Sequence, residues 1–257
     1  RGGEQAVELA RTLHPVEEAA AGRHFLGAVD IGFERREVGL GGALAGQAHD
    51  QVLDAICSGE LKAGSRITQE ELATRFGVSR QPVLQAMMLL RREGFLVETG
   101  RKGVCVAPLD VEKAHNLYVV RGALDGAAAR LAAGRNTPEL MHRGRLLLDV
   151  GRRAAASGHV PSVIEADIDF HLFIYEASGN PLIGETAQPH WQHLRRVMAA
   201  ALGESDLRVS VWDEHEGILR ALEAGQVGEA EELCRGHAEQ MADILTGRLK
   251  AVISRAA

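Results

Sequence analysis

Aromatic side chains are scarce: two Trp, two Tyr and six Phe among 257 residues. Sheets lean on aromatic and β-branched residues. A chain this poor in rings but rich in Ala, Leu, Glu and Arg favours helix over sheet. Long apolar runs are missing too. None approaches the ~20 residues that cross a bilayer as a helix, so no membrane partner is expected. The opening RGGEQAVELARTLH carries charges without the roughly 7–15-residue apolar core of a secretory signal, so none is expected. Cysteine is limited to Cys57, Cys105 and Cys234, far apart and without Cys-x-x-Cys spacing. That excludes a disulfide framework and fits reduced thiols in the cytoplasm. Nor is there a basic excess: 29 Lys and Arg stand against 35 Asp and Glu, a net charge of −6.

On bulk charge alone nucleic acid is a poor partner, but the charge is unevenly spread. Residues 1–48 carry −2, residues 49–108 carry +1 and residues 109–257 carry −5. Any DNA contact in the middle segment rests on a few placed cations. The length allows one large domain or two modest ones, each with a core of its own.

Three segments emerge. Residues 1–48 form an N-terminal extension in which EQAVELARTLHPVEEAAAG could make a short helix and GLGGALAGQ reads as a Gly- and Ala-rich linker. No function is assigned to it. From His49 to Pro108 the pattern sharpens. Val52, Leu53, Ile56 and Leu61 recur at helical spacing, and Lys62-Ala-Gly-Ser65 supplies a turn. Thr68 with Glu71 three residues on makes a capping box for the helix QEELATRF, which Gly77 breaks. Ser79 is expected to cap a second helix, with Pro82 in its first turn and Val83, Ala86, Met87 and Leu90 on one face. After Gly94, FLVET and VCVAP are β-prone runs joined by GRKG, a hairpin signal. Helix, helix, turn, helix and hairpin is the winged helix-turn-helix plan. Residues 109–257 read as helices near 110–134, 137–157, 161–178, 181–202, 206–224 and 226–253 with short connections, an antiparallel bundle. The expected fold class is therefore mainly α.

The middle segment suits DNA. A recognition helix needs small or polar side chains at its N-terminus, where Ser79, Arg80 and Gln81 stand. The hairpin tip offers Arg101 and Lys102 between Gly100 and Gly103, apt for a wing lying along a groove. A trihelical unit that binds protein is the competing reading of the same pattern. The stretch SGELKAGSRITQEELATRFGVSRQPVLQAMMLLRREGFLVETGRKGVCVAP closely resembles the DNA-binding domain of the GntR family. The resemblance implies that Thr68–Met87 is the helix-turn-helix, that Arg80 and Gln81 contact DNA, and that the wing tip reaches the minor groove. The family's usual Arg-Glu-Ala-Leu after Pro-Val is Leu84-Gln85-Ala86-Met87 here, so one expected arginine contact is missing.

The last segment holds polar groups where apolar ones are expected. Asp167 and His171 share a helical face with Val163 and Ile174. His215 aligns with Val211, Ile218 and Leu222, and His237 with Ala230, Leu233, Met241 and Ile244. An unpartnered buried polar group costs ~1–3 kcal/mol in mutational data. One shared divalent metal would satisfy all four, and three His with one Asp suit Zn²⁺, Ni²⁺ or Mn²⁺ with a position left open. The plainer reading is of separate core histidines, each hydrogen-bonded on its own. The other eight histidines, His190 and His193 among them, are expected to face solvent, and Asp169 points to another face than Asp167. Arg121 lies in line with Leu117, Leu124 and Ala128. Either a ligand carboxylate or Asp125, one turn on, could partner it.

Residues 109–250, through YVVRGALDGAAA, ADIDFHLFIYEASGNPL, DEHEGILRALEAG and EAEELCRGHAEQM, resemble the FCD effector-binding domain of the FadR subgroup. In that family's metal-binding branch the matching positions hold a metal, which here implies Asp167, His171, His215 and His237. The resemblance also implies a small organic acid bound beside the metal, with Arg121 as its carboxylate partner. Asp125 stands where a Glu is usual. The expected function is a cytoplasmic, homodimeric transcriptional repressor or activator on a pseudo-palindromic operator, and not an enzyme. A hydrolase-like metalloenzyme using the His/Asp cluster is the rival, without an obvious general base or nucleophile motif. A purely structural zinc bundle would leave Arg121 unexplained.

Overall fold

The computed structural model describes residues 40–100, 103–202 and 207–256. The first helix, α1 (Leu40–Cys57), buries Val52, Leu53 and Ile56. It begins well before His49 and runs through the Gly/Ala stretch expected to be a linker. Ala45 and Ala48 are buried on the face that continues to Val52, so packing outweighs the poor helix propensity of the glycines. After β1 (Arg66–Ile67) comes α2 (Gln69–Phe76). Its capping box is complete: Glu71 N–H donates to Thr68 Oγ1 at 3.2 Å and Thr68 N–H to Glu71 Oε2 at 2.9 Å. Gly77 ends it at φ +66°, a left-handed position that favours glycine. Helix α3 (Arg80–Arg92) starts after Ser79, which has extended backbone but makes no side-chain capping bond, contrary to the expected cap.

Strands β2 (Leu96–Thr99) and β3 (Gly103–Val106) pair antiparallel with Glu98 opposite Val104. The sheet order is β1-β3-β2, so two-residue β1 turns the expected hairpin into a three-stranded wing. A strand that short leaves no period to read. Val52, Ile56, Leu72, Val83, Leu90, Phe95, Leu96 and Val106 form this unit's own core.

Six helices follow: α4 (Val111–Ala133), α5 (Pro138–Ser157), α6 (Val160–Ala177), α7 (Pro181–Ala201), α8 (Leu207–Glu223) and α9 (Val227–Ala256). Asp110, Thr137 and Asn180 cap the first, second and fourth through side-chain oxygens, and Pro138 and Pro181 sit in first turns where no N–H is needed. Helices α4 and α9 pack along one another on small residues. A Cβ at Gly126 would stand 3.3 Å from the Glu231 carbonyl oxygen. A second, larger core runs from Tyr118 through Phe170, Phe173, Leu194, Trp212 and Leu245. The fold is thus a winged helix-turn-helix followed by a helical bundle.

Helices α5 and α8 cross where Gly151 faces Trp212, whose ring occupies the place a Cβ would take. Gly151→Ala should cost ~1–3 kcal/mol through overpacking. Gly247→Ala, in open space on α9, should instead gain ~0.5–1 kcal/mol. Thermal unfolding of the two variants should shift in opposite directions.

Candidate functional site

Three helices converge on one point of the bundle core. Helix α6 supplies Asp167 and His171, one turn apart, α8 supplies His215 and α9 supplies His237. All four are buried, and one ligand atom from each lies within 4.8 Å of all the others. His215 Nε2 faces His237 Nε2 at 3.3 Å and Asp167 Oδ1 at 3.5 Å. A single ion at ~2.1 Å from each ligand allows atoms up to ~4.2 Å apart, so the set needs only small side-chain adjustments to close on one. The apolar surround is strong: the His215 ring stacks on Phe170 at 4.5 Å and meets the edge of Trp212 at 4.8 Å.

Polar satisfaction in this core is incomplete. His215 Nδ1, both nitrogens of His171 and Arg121 Nη2 lack a hydrogen bond. His171 Nδ1 is 3.2 Å from Asp125 Oδ2 but off the line of a hydrogen bond. By contrast, His237 Nδ1 lies 2.7 Å from Glu214 Oε2, and Gln240 donates to the other carboxylate oxygen at 3.0 Å. A donated Nδ1–H leaves the Nε2 lone pair aimed at the cluster, the arrangement that carboxylate-backed metal histidines use. Burial pushes the His171 and His215 imidazoles below their usual pKa, with Arg121 adding to the effect. Both shifts favour the neutral ring, the form that binds a metal. Donor types, proximity and orphaned nitrogens all fit a divalent cation.

Of the two expected partners of Arg121, Asp125 is the one in place. Its Nε donates to Asp125 Oδ2 at 3.0 Å, while Nη2 stays unbonded 4.0 Å from Asp167 Oδ2. Its guanidinium lies 4.5 Å over the Trp191 ring. Asp125 also accepts from the Tyr175 hydroxyl. Burial works against the Asp125 charge, yet His171, Arg121 and Tyr175 together hold the carboxyl at about 2. Asp125, Glu214, Trp191 and Tyr175 escaped the sequence reading as a supporting set. Asp125 and Glu214 carried a local signal, as the turn-mate of Arg121 and the neighbour of His215. What they reach across the bundle is tertiary information.

His193 is not solvent-facing as expected. Its ring stacks on Phe95 of the winged unit at 4.1 Å, and Nε2 meets the Glu93 carbonyl at 3.0 Å. Burial and nearby Lys113 bring its pKa to about 4. On the same helix, Arg195 bonds Asp54 at 2.5 Å, Arg196 donates to the Ala107 carbonyl, and the Gln192 carbonyl accepts from the Cys57 thiol. Helix α7 therefore touches the polar cluster through Trp191 and the winged unit through its next turn.

In the winged unit Ser79, Arg80 and Gln81 are exposed at the start of α3, with Arg80 paired to Glu70 at 2.8 Å. Gly103 is buried, and a Cβ there would lie 2.5 Å from the Thr99 carbonyl oxygen, so this glycine closes the wing. Arg101 and Lys102 lie outside the described residues.

The model for bacterial regulatory proteins of the gntR family matches residues 44–106, and the FCD domain model matches residues 116–240. The chain belongs to the GntR family. Similar proteins include the uncharacterised HTH-type transcriptional regulator YdhC of Bacillus subtilis, 29% identical over 135 residues, 52% of this chain and 60% of that one. The Nta operon transcriptional regulator of Aminobacter aminovorans is 30% identical over 136 residues, 52% of this chain and 63% of its own. Each match thus spans about 60% of these relatives' length. A solved GntR protein from Rhodococcus sp. RHA1 has the same fold, with a TM-score of 0.69 over 80% of this chain and 98% of that one at 21% identity. These relatives are named as regulators, not hydrolases, and the metalloenzyme reading is set aside. Among the described residues no helix is long and apolar enough to cross a membrane.

Removing one member of a buried ion pair strands the other charge, at ~3–5 kcal/mol. Asp125→Ala should therefore lower the urea midpoint sharply. The double variant Arg121→Met, Asp125→Leu should recover more than half of that loss.

Proposed function

We propose that this GntR protein is a ligand-responsive transcriptional regulator whose helical unit, residues 109–257, holds one divalent metal at Asp167, His171, His215 and His237. The observation that carries the reading is the meeting of four buried potential ligand atoms within 4.8 Å, two of the imidazoles having orphaned nitrogens. Three nitrogens and one oxygen suit Zn²⁺ best, with Ni²⁺ or Mn²⁺ as alternatives. A bound ion would supply a Lewis-acidic position for one carboxylate oxygen of a small organic acid. Arg121 Nη2, free while Nε is tied to Asp125, would take the other oxygen by a charge-assisted bond. A purely structural metal gives this unbonded Nη2 no task.

The winged unit, residues 49–108, binds a double-stranded operator through Ser79, Arg80 and Gln81, with Arg101, Lys102 and Gly103 as further DNA-binding residues. Two copies related by a two-fold axis would meet a pseudo-palindromic site in the cytoplasm. Ligand changes DNA affinity only if it binds two arrangements of the units unequally. Helix α7 supports such coupling, since Trp191 flanks Arg121 and His193, Arg195 and Arg196 grip the winged unit.

Elemental analysis of purified protein should find about one ion per chain, and His237→Ala should lose most of it while α1–α3 and the wing stay folded on their own core. The double variant Arg121→Met, Asp125→Leu, which strands no buried charge, should keep the metal and operator binding but abolish the response to short-chain carboxylic acids in an anisotropy titration. Metal-free protein, or a response intact in that double variant, would contradict the proposal.

A further inference from the structure

Helix α3 has two faces of different character. Val83, Ala86, Met87 and Leu90 are buried in the winged unit's core. On the opposite side Gln81, Leu84, Gln85 and Met88 are all exposed, and their i, i+3, i+4, i+7 spacing puts them in one stripe. Leu84 is 41% exposed and Met88 61%. Single exposed apolar residues are ordinary. Here two of them alternate with two carboxamides along the helix that a helix-turn-helix lays in the major groove. Between Gln81 and Met88 the stripe carries no cation: Arg80, one turn before Leu84, is paired with Glu70, and Arg91 and Arg92 continue the face only into the last turn.

The chemistry of base edges discriminates sharply here. Guanine is read chiefly by Arg or Lys on O6 and N7. Adenine is read by the carboxamide of Asn or Gln on N6 and N7, and thymine by apolar contact with its C5 methyl. A stripe of Gln, Leu, Gln and Met has donors and acceptors for adenine and apolar surface for methyls, and nothing for guanine.

We infer that this stripe reads A·T base pairs, with Leu84 as the specificity-determining residue packed on a thymine methyl and Gln81 and Gln85 addressing adenine. The half-site is A·T at the pairs that Gln81, Leu84 and Gln85 face, and a Leu84 contact replaces the guanine contact an arginine would make there. The inference rests on the winged unit being the DNA reader proposed above, and adds the base class it selects. Met88, one turn further, extends the same apolar surface.

The test uses the full chain and a randomised duplex library. Selection should recover a site with A·T pairs beneath α3. Replacing thymine by uracil at those pairs removes only the methyl and should weaken wild-type binding about three- to fivefold per contacted methyl. Leu84→Ala should bind the thymine duplex as weakly as wild type binds the uracil one, and show no further loss on uracil. Leu84→Arg should move the preference to guanine. Leu84 is exposed, so thermal unfolding of these variants should match wild type and separate readout from folding. Guanine at the selected pairs, or equal wild-type affinity for thymine and uracil duplexes, would overturn the base assignment while leaving DNA binding intact. Failure to enrich any duplex would overturn it together with the regulator reading.

Discussion

The Arg121–Asp125 pair is buried with three imidazoles and a second carboxylate in one bundle core, and the helical unit is organised around satisfying them. Desolvating that many ionisable groups is tolerable only when each finds a partner. Asp125 meets part of the demand by accepting from Arg121 Nε and Tyr175 and standing beside His171. Glu214 orients His237 from the other side. The demand left over falls on both nitrogens of His171, on His215 Nδ1 and on Arg121 Nη2, while His215 Nε2 and His237 Nε2 face one another at 3.3 Å. A cation held by the four side chains would meet part of that demand, which ties the metal proposal to the stability of the bundle.

The same core reaches the winged unit through helix α7. Trp191 carries the Arg121 guanidinium on its ring, and the following turn of α7 stacks His193 on Phe95 and bonds Asp54 and Ala107. Packed interiors move between discrete arrangements more readily than they deform. A ligand that changes how Arg121 lies over Trp191 would act at the root of that contact.

Much of this was legible in sequence, for physical reasons. The helical period alone put Asp167, His171, His215 and His237 on apolar faces, because a ligand set drawn from helices must keep the i, i+4 rule to point inward. The capping box at Thr68 and Glu71 is equally local. What failed was what depends on distant partners. The glycines before His49 read as a linker until Ala45 and Ala48 proved buried. His193 read as solvated because Phe95 is nearly a hundred residues away in the chain. Two-residue β1 exists only through its pairing with β3. Arg121 read as a choice between two partners, whereas a guanidinium has separate nitrogens and serves Asp125 with one of them.

X-ray absorption at the edge of the co-purified metal tests the central claim most directly, because it reports the ligands and not merely the presence of an ion. The account predicts three imidazole nitrogens and a carboxylate oxygen, at ~2.0–2.2 Å for zinc, with the outer-shell scattering that histidine rings produce. A shell of oxygens without histidine scattering, or a sulfur ligand from buried Cys234, would contradict it.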